Sequence, residues 1–101
     1  MDKIYKSLAD KNRRIILSIL KDGEKNVNQI LGGLTIGQAT LSSHLAYLRK
    51  AGLVICRVAG KERWYQLNKG AFNNLLKDIE EIGGKAVQGT GDEIILRRKV
   101  V

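Results

Sequence analysis

The segment 36–54, IGQATLSSHLAYLRKAGLV, limits what this chain can become more than any other stretch. On a helix, Leu41, Leu45 and Leu48 stand at i, i+4 and i+7 and form one narrow apolar seam. The opposite face carries Ala39, Ser42, Ser43, Ala46, Tyr47 and Lys50, mostly short side chains with hydroxyls among them. Short polar side chains let a helix lie deep in a DNA major groove, roughly 12 Å wide, with hydroxyls and amides against base edges. Gly52 supplies the left-handed stop that such a helix commonly needs. Residues 53–58 and 62–67 then alternate, rich in β-branched and aromatic types, around Ala59-Gly60-Lys61; that pattern predicts a hairpin. Helix, stop and hairpin in this order read as the recognition helix and wing of a winged helix-turn-helix.

The flanking segments supply the rest of such a domain. Residues 1–9 pattern as a short helix with Met1, Ile4, Tyr5 and Leu8 on one side, too short to stand alone in water. Asp10 is a good N-cap for a helix through about Lys21, with Gly23 past its end and Ile15, Ile16, Ile19 and Leu20 as its buried face. Arg13 and Arg14 fall in its first turn, where a solvated face and a phosphate contact are equally open. Residues 26–34 predict a helix capped by Asn26 or Asn28, burying Val27, Ile30 and Leu31, its end weakened by Gly32 and Gly33. Asn68 caps a helix over about 69–82, whose Phe72, Leu75, Leu76, Ile79 and Ile82 form one stripe. That stripe is too much for one intramolecular face. With Ile4 and Leu8 it is expected to build a two-fold dimer interface; closure of a monomer core is the competing reading.

Charge points to the partner. The 101-residue chain carries a formal net charge of +8, and a small basic domain suits nucleic acid or an anionic membrane surface. Segment 35–67 holds Arg49, Lys50, Arg57, Lys61 and Arg63 against Glu62 alone, while 68–82 sets Lys69 and Lys77 against Asp78, Glu80 and Glu81. The positive field therefore lies on the reading elements, which favours DNA. A single cysteine, Cys56, excludes an intramolecular disulfide and any cysteine-cluster metal site. Alternation places it with Val54 and Val58, as a buried structural thiol. No apolar run or leader pattern marks a membrane span or export, so a cytoplasmic protein is expected.

The pattern Gln38, Thr40, Ser42, His44, Leu45, Leu48, Gly52, Leu53, Val54, then Gly60-Lys61 and Trp64-Tyr65, resembles the ArsR/SmtB family of bacterial repressors over about residues 4–82. The resemblance implies a mainly α fold with a small β-hairpin (α+β): a winged helix-turn-helix of about five helices plus a two-stranded wing, acting as a homodimer. It departs from the family at Lys11, where a proline is usual, and at Gly37, often a serine cap. Family members that sense metals use cysteines before the recognition helix or Asp/His and His/Glu sets on the last helix. Here the earlier helix has no cysteine and the last has no histidine. A tight transition-metal site needs converging nitrogen or sulfur ligands, so no metal and no cofactor is expected. Nor does a catalytic pair with an orienting group emerge, and a non-enzyme is expected.

The expected activity is repression by a homodimer on an inverted-repeat operator in double-stranded DNA. Gln38 is placed to pair bidentately with an adenine, Ser42 and Ser43 to meet base edges or phosphates, Thr40 a phosphate near the helix start, and Tyr47 the backbone, with Ala39 on the same face. His44 lies between seam and groove face, with a structural hydrogen bond and a DNA contact equally open. Lys61 and Arg63 at the hairpin tip grip flanking phosphates. Trp64 and Tyr65 read as packing residues. Two alternatives stand beside this: an effector- or thiol-sensing repressor of the same fold, switched by an unknown ligand or partner protein, and a winged-helix module whose basic hairpin meets an acidic protein or membrane. A C-terminal extension, 83–101, carries Gly83, Gly84, Gly89 and Gly91, then Ile94, Ile95 and Leu96 before Arg97, Arg98 and Lys99. It reads as either a solvated tail or a docked arm offering cations to DNA.

Overall fold

Local capping sets each element in place. The computed structural model describes residues 1–84, as α1 (Asp2–Leu8), α2 (Lys11–Leu20), β1 (Lys25–Asn26), α3 (Val27–Leu31), α4 (Gln38–Lys50), β2 (Val54–Ala59), β3 (Glu62–Leu67) and α5 (Lys69–Gly83). The Asp10 carboxylate accepts from Arg13 N–H at 3.1 Å and starts α2. Asn26 and Gln29 form a reciprocal capping box on α3, with Gln29 N–H donating to Asn26 Oδ1 at 2.8 Å and Asn26 N–H to Gln29 Oε1 at 2.9 Å. α4 starts at Gly37 with no side-chain cap. It ends in a paired closure: Gly52, at φ +82°, donates to Arg49 O, and Leu53 N–H to Leu48 O. Only a residue without Cβ takes that φ cheaply, and the two bonds absorb carbonyls that the helix end would leave unpaired.

The described residues divide into two units, Met1–Lys69 and 70–84. In the first, Ile16, Leu17 and Leu20 of α2, Ile30 of α3, Leu41, Leu45 and Leu48 of α4, and Leu53, Val54 and Tyr65 are buried. Each such leucine or isoleucine contributes about 1.5–3 kcal/mol relative to an exposed position. In the second, α5 has Leu75 buried and Leu76 and Ile82 exposed.

The sheet is antiparallel, in the order β1-β3-β2. β2 and β3 pair from Val54↔Leu67 to Ala59↔Glu62 around the two-residue turn Gly60-Lys61. Gly60 sits at φ +62°, the left-handed entry that hairpin turns matched to sheet twist require. β1 adds Lys25↔Tyr65 and Asn26↔Trp64. The β2–β3 hairpin is the expected two-stranded wing, and β1 extends it to a three-stranded sheet that the sequence hides: two residues carry no alternation, and Asn26 reads only as a helix cap.

Other differences have equally local causes. α3 is shorter than 26–34, ending as Gly32 and Gly33 turn the chain. Leu17 joins the buried face of α2, while Ile15 and Ile19 are half-buried. Gly33 has a packing role besides: a Cβ there would meet Ile19 Cδ1 at 2.8 Å, so α2 approaches the turn where no side chain stands. Cys56 is half-buried and Val58 exposed, because β2 runs out beyond the helices towards its tip. α5 runs through Gly83, and the reading of a tail or arm falls on residues outside those described.

Candidate nucleic-acid interface

The Leu41–Leu45–Leu48 seam anchors α4, so its opposite side faces outward. Gln38, Ala39, Thr40, Ser42, Ser43, Tyr47, Arg49 and Lys50 are all exposed, and α4 holds no acidic residue. Helical geometry sorts them: Ala39, Ser43 and Lys50 lie opposite the seam, Gln38, Ser42, Ala46 and Arg49 on one flank, Thr40, His44 and Tyr47 on the other.

The first flank meets the wing. Gln38, Ser42, Ala46 and Arg49 share one concave surface with Lys61, Glu62 and Arg63 of the hairpin and with Asn26, Val27 and Asn28 at the start of α3, Tyr65 forming its floor. The residues expected to read bases and those expected to grip phosphates thus border a single concavity. Arg49, Asn26 and Asn28 join it beyond the expected set. Arg49 was legible, standing seven residues from Ser42 and eleven from Gln38 on the same helical stripe. The asparagines were not, because only β1 pairing carries them to the wing. Glu62 is steered by the Asn26 side chain, which donates to its Oε1 at 3.1 Å.

On the second flank, His44 and Tyr47 are already engaged, while Thr40 is exposed. His44 is half-buried, with Nδ1 3.4 Å from Arg13 Nη1 and Nε2 3.9 Å from Asp10 Oδ1. The guanidinium of Arg13 lies over the Tyr47 ring at 4.1 Å from its centroid. Arg13 also donates to the Ser7 and Lys6 carbonyls, and Arg14 Nη1 to Leu8 O at 2.7 Å. Both tie the end of α1 to α2, a role outside the two sequence readings, with Arg14 exposed and Arg13 half-buried. The Arg13 backbone N–H, above all, holds the Asp10 carboxyl below the usual carboxylate range, with the His44 and Arg13 charges adding to it against partial desolvation.

Arg57 is likewise committed. Its Nε and Nη2 donate to both Glu24 carboxylate oxygens at 2.7 and 2.8 Å, and its guanidinium lies 5.7 Å from the Trp64 ring centroid. This bidentate pair lowers the Glu24 pKa and raises that of Arg57. On the other sheet face, burial pushes the Tyr65 phenol up, and a hydrogen bond with the cross-strand thiol of Cys56 adds to the shift. Among the described residues, no group of three His, Cys, Asp or Glu gathers within reach of one ion, and no helix is long and apolar enough to cross a membrane.

A seam-anchored helix presenting short polar side chains, flanked by a basic hairpin, defines a winged helix-turn-helix DNA-binding protein. Residues 10–55 match the profile of the bacterial regulatory proteins of the arsR family. The HTH-type transcriptional regulator Rv2034 of Mycobacterium tuberculosis is 33% identical over 88 residues, spanning 87% of this chain and 82% of the relative. The arsenical resistance operon repressor of Staphylococcus aureus is 33% identical over 82 residues, covering 81% of this chain and 79% of that one. The solved structure of HlyU from Vibrio cholerae, described as a transcriptional activator, superposes with a TM-score of 0.67 at 30% identity, covering 79% of this chain and 87% of that one. The chain belongs to the ArsR family, and is a DNA-binding transcriptional regulator.

Proposed function

We propose that the protein is a sequence-specific repressor that binds an inverted-repeat operator as a homodimer and does not respond to metal ions. The observation that carries this reading is the single concavity bordered by Gln38 and Ser42 on α4 and by Lys61 and Arg63 on the wing. An amide at Gln38 suits bidentate pairing with adenine, and the serine hydroxyls suit base edges or phosphates. The wing cations neutralise flanking phosphates and release counterions, which makes affinity salt-dependent.

A dimer is supported by apolar surface that one chain leaves in water. Leu76 is 59% and Ile82 78% exposed on α5. Phe72 and Ile79 there, with Ile4 and Leu8 on α1, are half-buried. Leu75 is buried within the single chain and adds little area to a second surface. Two-fold pairing would set two reading helices about 34 Å apart, one turn of DNA. Independence from metal is supported by the donor inventory: the chain has one cysteine and one histidine, and that histidine faces Arg13 and Asp10.

The decisive experiment is selection of bound duplexes from a random pool, followed by salt titration on the selected duplex and a scrambled one. A two-fold consensus, bound at least a hundredfold tighter than the scrambled duplex, supports the reading. Equal weak binding to both sinks it and favours a protein-interaction module. Zinc should leave the selected affinity unchanged. Because HlyU is described as an activator, a reporter driven by the selected site fixes the sign of regulation.

A further inference from the structure

One guanidinium serves both the N-terminal helix and the reading helix. Arg13, half-buried in the first turn of α2, donates through Nε to Ser7 O at 2.9 Å and through Nη2 to Lys6 O at 3.1 Å. Both carbonyls belong to the last turn of α1, where helix acceptors look for partners beyond the helix, and Lys6 O accepts from the Ala9 amide as well. Its Nη1 lies 3.4 Å from His44 Nδ1, and its plane covers the Tyr47 ring, 4.1 Å from the centroid. His44 and Tyr47 are one turn apart on α4, so edges and face of the same rigid group are all engaged. The Asp10 carboxylate takes the Arg13 backbone N–H rather than the guanidinium.

We infer that Arg13 is a positioning residue for DNA reading: it sets α4 against the end of α1 and orients Tyr47, without itself touching DNA. The inference rests on the proposed function only for its consequence in binding; the coupling of α1 to α4 is a property of the free protein. It also assigns α1 a second task, since a helix that helps pair two chains in that reading is tied to the helix that reads bases. The chemistry requires arginine. Lysine keeps the charge but has neither the fork that reaches two carbonyls and a ring nitrogen nor a plane to stack on tyrosine.

The test uses the full chain with Arg13→Lys, Tyr47→Leu and the double substitution. Without DNA, Arg13→Lys should speed amide exchange at residues 44–50 by about tenfold while the β2–β3 ladder keeps wild-type protection. On the duplex selected by the wild type, Arg13→Lys should lower the selected-to-scrambled affinity ratio about tenfold, and the two substitutions should combine less than additively. The slope of log affinity against log salt should not change. A direct phosphate contact behaves otherwise: lysine preserves it, and Arg13→Gln lowers the slope by about 0.9. Wild-type ratios and exchange in Arg13→Lys, or that slope loss in Arg13→Gln, would overturn the inference. Should Arg13→Lys fail to fold, Tyr47→Leu carries the test: faster exchange at the Ala9 amide, which donates to Lys6 O, supports the coupling, and unchanged exchange there refutes it. If the wild type itself ignores sequence, the proposed function fails while the exchange result still decides the coupling.

Discussion

On α4 the exposed polar side chains are those proposed to read DNA, while the side chains that have partners shape the helix presenting them. Gln38 and Ser42 are exposed at the edge of the concavity, whereas His44 faces Arg13 and Asp10. Gln38→Ala should therefore cost about 1–3 kcal/mol of discrimination at one base pair per half-site and little stability, measured by competition with singly substituted duplexes. A separate expectation concerns acid. Asp10 and Glu24 both have folded pKa values below their ordinary ones, through the Arg13 N–H and through Arg57. Depressed carboxylates contribute stability that is full above the unfolded pKa and is lost as pH falls through the folded one. The thermal midpoint should start to fall as pH drops below about 4.3, and Glu24→Gln should flatten that descent. Exposure of Gln38, Ser42, Lys61 and Arg63 was legible in the sequence, because an apolar seam dictates which side faces out. The commitments of Arg13 and Arg57 were not: their partners lie six and thirty-three residues away, brought near only by folding.

At the scale of the element, caps and stops were the most readable features. Asp10, Gly52 and Gly60 announce their roles because few residues accept those conformations. β1 was hidden, since two paired residues have no period. Gly37 leaves α4 without a side-chain cap, at an ordinary extended conformation where an added Cβ would meet nothing within 4 Å. Gly37→Ser should raise unfolding stability by about 0.3 kcal/mol in a denaturant titration, the difference between serine and glycine caps. For the wing, Lys61→Ala should lower affinity for the selected and scrambled duplexes alike and reduce the salt slope by about 0.9, the signature of one lost phosphate contact.

For the whole molecule, the prediction concerns assembly. Leu76→Glu and Ile82→Glu each place a charge on apolar surface that faces water in the single chain, so neither should unfold it. If α5 pairs two chains, both should shift sedimentation from dimer to monomer at micromolar concentration and reduce operator binding more than scrambled binding. Wild-type sedimentation of both would remove α5 from the interface.

The root of the hairpin is stitched: Asn68 N–H donates to Leu53 O and the Asn68 side chain to Gly52 O, each at 2.9 Å. Six paired residues per strand carry the tip about 20 Å from that root. Over such a lever arm a tilt of only about 6° sweeps the tip through roughly 2 Å, enough to break a hydrogen bond to a phosphate oxygen. On the proposed reading, the aim of Lys61 and Arg63 at phosphates is therefore set at the far end of the lever, by an amide about 20 Å from the tip.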